Sequence, residues 1–238
     1  MKMKLATAAL ALAIGLGSMG AAQAEMTKAE VEKIVQDYIM NNAEVILQSV
    51  NDYQTKGVAE AQQQALQANA RKIFENDMTP VAGNPDGDVR VVEFFDYNCG
   101  YCKRVVGDVN KLIENDDQVK LILIDYPILG PTSETAARWA MAADKQGKYL
   151  EFHNALLTKN ERISDELLEA TAKDLKLDVD QLKKDAASEE ISVYLEGNRA
   201  LAQSLNINGT PAFIVEDEIF PGAISYDSMK QAVDSKRD

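Results

Sequence analysis

The stretch from Val91 to Lys103, Val-Val-Glu-Phe-Phe-Asp-Tyr-Asn-Cys-Gly-Tyr-Cys-Lys, constrains the fold of this chain more than any other. Val91 to Phe95 is β-branched and aromatic, the composition of a buried strand. It runs into the two cysteines of the sequence, which stand three positions apart, and then into apolar residues at 105, 106, 109, 112 and 113. That second spacing is helical. Asn98 is placed to cap the helix, which would leave Cys99 in its first turn. Unpaired N–H groups and the positive end of the helix dipole favour a thiolate there. An ordinary thiol is only about 3% ionised at neutral pH, so a lowered pKa greatly enlarges the attacking species. Cys102 lies one turn further in, within disulfide reach, so the pair reads as a redox dithiol.

Other uses of two cysteines fit less well. Closing so short a loop restricts the unfolded chain by only about 2 kcal/mol, which makes a structural staple a weak reason for the pair. Structural zinc needs four ligands, and the sequence adds a single histidine to the two cysteines. Soft thiolates do suit Cu(I), so a chaperone or Cu(I)-handling protein is a further alternative. No metal site and no cofactor beyond a Cys99–Cys102 disulfide is expected.

The first 24 residues read as a signal peptide. Lys2 and Lys4 precede an apolar run, Leu5 to Leu16, that is too short to span a bilayer, and Ala22-Gln23-Ala24 is a small-residue cleavage signal. The chain is thus expected to be exported, to the periplasm. The whole sequence carries a net charge of −13, and removing a presequence with two lysines and no acids takes it to −15. Such acidity disfavours nucleic acid as a partner.

Residues 25–78 read as a separate helical segment. Thr27 to Glu30 is a capping-box pattern, and Asn41 to Glu44 suggests a break and a fresh cap. An Ala/Gln-rich run of good helix formers follows Gly57. The apolar residues from Val31 to Tyr53 need a surface to cover them. Self-association into a dimer or trimer is favoured over docking onto the rest of the chain. Residues 77–88, dense in Pro, Gly and Asp, read as a boundary with turns. Gln118 to Tyr126 is a second apolar strand, forming a βαβ unit with the first. A helical block, about 132–188, follows as an insertion. It includes His153, which sits on an apolar face and reads as a packed structural residue. Thr210-Pro211 opens a further strand, Ile219-Phe220 forms its hairpin partner, and Ser225 to Ser235 is a final helix.

Phe94 to Cys102, taken with Gly209-Thr210-Pro211, resembles the DsbA-like thioredoxin-fold thiol:disulfide oxidoreductases of the bacterial cell envelope. The resemblance covers 79–238, and the N-terminal helices resemble those of ScsC-like members, in which such segments oligomerise. It implies an α/β thioredoxin fold with an inserted helical subdomain, preceded by an α-helical N-terminal segment. It implies a cis Thr210–Pro211 bond packed on the dithiol, Cys99 as attacking thiol, Cys102 as resolving thiol, and a buried acid at Glu93. A carboxyl within a buried strand should have a raised pKa and could take up the Cys102 proton. Gly100, Tyr101, Thr210 and Pro211 would meet the substrate, whose extended chain would pair beside the proline. Lys103 either favours the thiolate or is simply solvated. Gly100-Tyr101 departs from the Pro-His of the main oxidases and is similar to the isomerase DsbC. Without an imidazole there, Cys99 is expected to be less acidic and the disulfide less oxidising. That favours isomerase or reductase over dithiol oxidase, with misfolded or reduced exported proteins as substrates and a membrane redox partner.

Overall fold

The computed structural model describes residues 26–159 and 161–237, so the signal-peptide reading of residues 1–24 falls outside the described residues. The chain divides into two compact units, with the division between Gln54 and Thr55. That is well ahead of the boundary expected near residue 78, because the later part of the long N-terminal helix buries Leu66 and Ile73 in the core of the second unit.

In the first unit, α1 (Lys28–Asn41) opens with the expected capping box: the Thr27 hydroxyl accepts from the Glu30 N–H, and the Thr27 N–H donates to the Glu30 carboxylate. Asn41 and Asn42 turn their side-chain amides back onto the carbonyls of Asp37 and Tyr38, both at 2.8 Å. The helix stops there, and α2 (Ala43–Phe74) begins. α2 runs unbroken through Gly57 into the Ala/Gln-rich run. The good helix formers on either side carry it past one glycine, whose cost is about 1 kcal/mol. No residue of α1 is buried. No helix among the described residues is long and apolar enough to cross a membrane.

The second unit is built on a five-stranded sheet in the order β1-β3-β2-β4-β5. β2 (Val89–Phe95) and β3 (Val119–Asp125) are parallel and joined by α3 (Gly100–Asn115), the expected βαβ unit. β4 (Ala212–Val215) runs antiparallel to β2 and turns into β5 (Glu218–Pro221). β1 (Val81–Gly83), antiparallel to β3, lies where only turns were expected. Three residues are too few to show alternation. Gly83 closes the strand at φ +70°, where an added Cβ would come within 2.6 Å of the Val119 carbonyl oxygen.

Between β3 and β4 the chain forms α4 (Pro131–Asp144), α5 (Tyr149–Thr158), α6 (Asp165–Asp174), α7 (Val179–Ala186) and α8 (Glu189–Ser204), and α9 (Tyr226–Asp234) closes the fold. Side chains alternate across the strands, so the sheet has two apolar faces. Val91, Phe95, Leu121, Leu123 and Phe213 pack with α3 and the inserted helices. Val92, Phe94, Ile122, Ile124 and Ile214 pack with the end of α2 and the end of α8. A sheet covered on both sides reads as unbroken apolar runs, which is how β2 and β3 look in the sequence.

Candidate active site

The dithiol stands where β2 ends and α3 begins. Asp96 shapes that exit. Its carboxylate accepts from the backbone N–H groups of Asn98 (2.7 Å), Ile128 (2.8 Å) and Leu129 (2.9 Å), tying the loops after β2 and β3 together. Its carbonyl accepts from the Cys99 N–H at 3.0 Å. Asn98 does not cap α3. Its amide donates instead to the hydroxyls of Thr132 and Ser133, both at 2.9 Å, anchoring the turn to α4. The N-cap residue is Cys99 itself, one position later in the chain than expected, and no side chain caps the helix there. The unpaired N–H groups of the first turn are thereby left facing sulfur.

Burial and contacts separate the two thiols. Cys99 Sγ lies 3.1 Å from the carbonyl oxygen of Thr210, and the Thr210–Pro211 peptide bond is cis. The Cys99 pKa is drawn down to about 5, chiefly by the hydrogen bond from the Cys102 thiol. Burial opposes the shift, while Thr210 and the N–H groups of Cys102 and Tyr101 add to it. The missing imidazole does not leave Cys99 an ordinary thiol: its donors are a thiol and backbone amides, which Gly100-Tyr101 leaves in place. Cys102 is wholly buried, and that burial first, then its bond to Cys99 and the charge of Glu93, holds its pKa far above the ordinary thiol range. One thiol is poised as a thiolate and its neighbour keeps its proton.

Glu93 is 1% exposed, and its Oε1 has no hydrogen-bond partner among the described residues. Burial, and secondarily the Cys99 thiolate, raises its pKa to about 8. Tyr101 is 58% exposed beside the dithiol, with the Arg104 guanidinium 4.0 Å above its ring. Lys103 turns away to donate to the carbonyls of Lys159 and Glu161, both at 3.0 Å. His153 is buried among Phe95, Tyr97 and Tyr149, and that burial lowers its pKa to about 3.

Two further buried acids, Asp96 and Asp125, were not foreseen. Asp125 ends β3 two residues beyond Leu123, the register partner of Glu93, and so lies on the same sheet face. One oxygen accepts from the Tyr149 hydroxyl at 2.6 Å, and Oδ1 has no partner among the described residues. Burial raises its pKa to about 8. An acid closing an otherwise apolar strand was the available signal. Among the described residues, no group of three or more His, Cys, Asp or Glu is placed to hold a metal ion.

Residues 90–234 match the DSBA-like thioredoxin domain family. The chain is 30% identical over 178 residues to a probable disulfide bond formation protein D of Bacillus cereus, covering 69% of this chain and 82% of that one. A thioredoxin-like oxidoreductase from Silicibacter pomeroyi superposes with a TM-score of 0.69 at 42% identity, over 70% of this chain and 96% of that structure. The thiol-disulfide exchange protein alpha-DsbA2 of Wolbachia pipientis gives 0.71 at 31%, over 75% and 97%. A linker-deleted ScsC of Proteus mirabilis gives 0.72 at 25%, over 91% and 99%. A thioredoxin sheet that sets an acidic N-cap cysteine against a Thr-Pro loop, together with these matches, places the chain in the DsbA-like family of thiol-disulfide oxidoreductases.

Proposed function

We propose that the chain is an exported, self-associating disulfide isomerase or reductase acting on proteins through Cys99 and Cys102. The observation that carries the exchange chemistry is the pairing of a thiolate-prone Cys99 against the Thr210 carbonyl with a buried, protonated Cys102. The Cys99 thiolate attacks one sulfur of a substrate disulfide. The Cys99–substrate S–S bond forms, the substrate S–S bond breaks, and the second substrate sulfur leaves as thiolate. If a different substrate thiolate then attacks the substrate sulfur, Cys99 is released as thiolate and the substrate is rearranged with no net oxidation, whereas return of the first thiolate only restores the original disulfide. If Cys102 loses its proton and attacks Cys99 instead, the substrate leaves reduced and the enzyme holds the Cys99–Cys102 disulfide.

Glu93 serves as the acceptor for the Cys102 proton. Part of what keeps it protonated is the negative charge on Cys99. That charge disappears when Cys99 enters the mixed disulfide, so more of Glu93 is ionised and free to accept a proton at the step that needs it. Thr210 and Pro211 present backbone to an extended substrate, and Gly100 and Tyr101 line its approach.

The direction rests on residues 26–58. Val31, Ile34, Val35, Tyr38, Ile39 and Tyr53 are exposed in the single chain. Association through them would gather several dithiols in one particle, suited to holding misfolded chains. A second reading, dithiol oxidation supplied by a membrane oxidant, is favoured by the acidity of Cys99: a stabilised thiolate makes the disulfide a stronger oxidant. The Bacillus relatives are disulfide bond formation proteins, which points the same way. Reactivation of a scrambled-disulfide protein by the reduced chain separates the two. Isomerase activity restores it in the absence of an oxidant. Failure to do so, with rapid transfer of the disulfide from oxidised enzyme to a reduced substrate, establishes the oxidase.

A further inference from the structure

Below the Thr210–Pro211 loop lies a cavity of about 360 Å³ that includes both residues in its lining. Its floor is apolar, from Ile207, Ile219 and Pro221, and three carboxamides, Gln62, Asn206 and Asn208, stand around it. No acidic or basic side chain lines it. Gln62 comes from α2, within the second unit, and is half-buried. Asn208 is committed to Asn206, donating to its carbonyl and to its side-chain oxygen at 3.2 and 3.1 Å. The Gln62 carboxamide has no intramolecular hydrogen bond among the described residues.

The cavity and the dithiol meet the same loop from opposite faces of the sheet. Cys99 and Cys102 belong to the apolar cluster on the α3 face. Ile207 and Ala212 belong to the cluster on the other face, with Ile219 packed against it. Successive side chains of an extended chain point to opposite sides. A substrate whose cysteine reaches Cys99 across Thr210 therefore turns its neighbouring side chain toward the cavity.

We infer that this cavity is a specificity subsite that takes the side chain next to the substrate cysteine, selecting an uncharged residue with an apolar body and a hydrogen-bonding tip read by Gln62. A charged side chain would be desolvated there with no counter-charge, whereas an amide or hydroxyl finds the Gln62 carboxamide. The inference rests on the exchange reading above.

The test uses the full reduced chain and a set of cysteine peptides, each bonded to thionitrobenzoate, with Gln, Glu or Lys placed immediately before or after the cysteine. Attack by Cys99 on the peptide sulfur releases the coloured thiolate. At one of the two positions the Gln peptide should react faster than the Glu and Lys peptides by about tenfold. Gln62→Lys should raise the Glu-to-Gln rate ratio at that position by about fivefold to tenfold, and Gln62→Glu should raise the Lys-to-Gln ratio similarly. Ratios within one protein cancel any general loss of activity. Equal rates for all peptides overturn the subsite, as do ratios that neither substitution moves. Shifts of the same size at both positions also overturn it, since they mark a long-range field. A chain that releases no thiolate from any peptide overturns the exchange reading itself.

Discussion

Helices α1 and α3 are of similar length, 14 and 16 residues, and both carry apolar side chains at helical spacing. Val105, Val106, Val109 and Leu112 of α3 are buried, whereas Val31, Ile34, Val35 and Ile39 of α1 are exposed. The difference comes from what precedes each helix. α3 leaves the end of β2 and folds back onto the sheet, so its stripe is covered by residues of the same unit. Burying each such side chain is worth about 1.5–3 kcal/mol. An apolar stripe therefore states that a surface must be found; it does not state whose.

That contrast can be broken most directly at the dithiol. Cys99→Ser should abolish turnover of protein disulfides, and Cys102→Ser should leave a trapped mixed disulfide visible by intact mass. Turnover by Cys99→Ser would place the attacking thiol elsewhere. At the other end of the contrast, Ile34→Asp with Tyr38→Asp should disperse the chain into monomers in sedimentation velocity, with its melting transition unchanged. Monomeric behaviour of the unmodified chain would show that α1 is not covered by another copy.

The pH dependence of stability sharpens the buried side. A carboxyl that holds its proton more tightly when folded adds stability that is complete below about pH 4. For Glu93 and Asp125 this stability is lost as pH rises through about 8. Cys99 acts in the opposite sense. Its contribution is complete above about pH 9, the unfolded thiol value, and is lost as pH falls through about 5. The oxidised protein has no Cys99 titration, and His153, held neutral by burial, adds an opposing slope only below about pH 6.5. Its unfolding free energy should therefore fall most clearly between about pH 6.5 and 8. Glu93→Gln and Asp125→Asn should each flatten that slope by up to about 1.4 kcal/mol per pH unit. Urea titrations across the range would show it, and a flat profile between about pH 6.5 and 8 in the unmodified protein would mean that neither acid is held neutral. The smallest effect belongs to the cap: Thr27→Ala should cost α1 about 1 kcal/mol, read as faster amide exchange over residues 28–31 alone.

The dithiol, its strand and its helix were legible because all three lie within 25 residues of sequence, from Val91 to Asn115. The Gly-Thr-Pro loop was legible only through resemblance, since nothing local ties Thr210 to a cysteine 111 residues away. The donors that lower the Cys99 pKa, chiefly the neighbouring thiol and then backbone amides, were not legible, because residue types do not advertise them. Asp125 escaped notice because Tyr149 and Asn198, which bond to its side chain and carbonyl, arrive 24 and 73 residues later.

The outermost strands have a consequence of their own. β1 is three residues long and ends in glycine, and β5 is four residues long, begins with Glu218 after Glu216-Asp217, and ends in Pro221. Brevity, acidic charge and proline are the devices by which sheets refuse to template foreign strands. Under the proposed function, with misfolded or reduced proteins as substrates, the protein would be exposed to uncontrolled β-pairing and co-aggregation during turnover. Its sheet offers those chains little margin to join, which leaves the loop beside Cys99 as the place where an extended chain can be held and then let go.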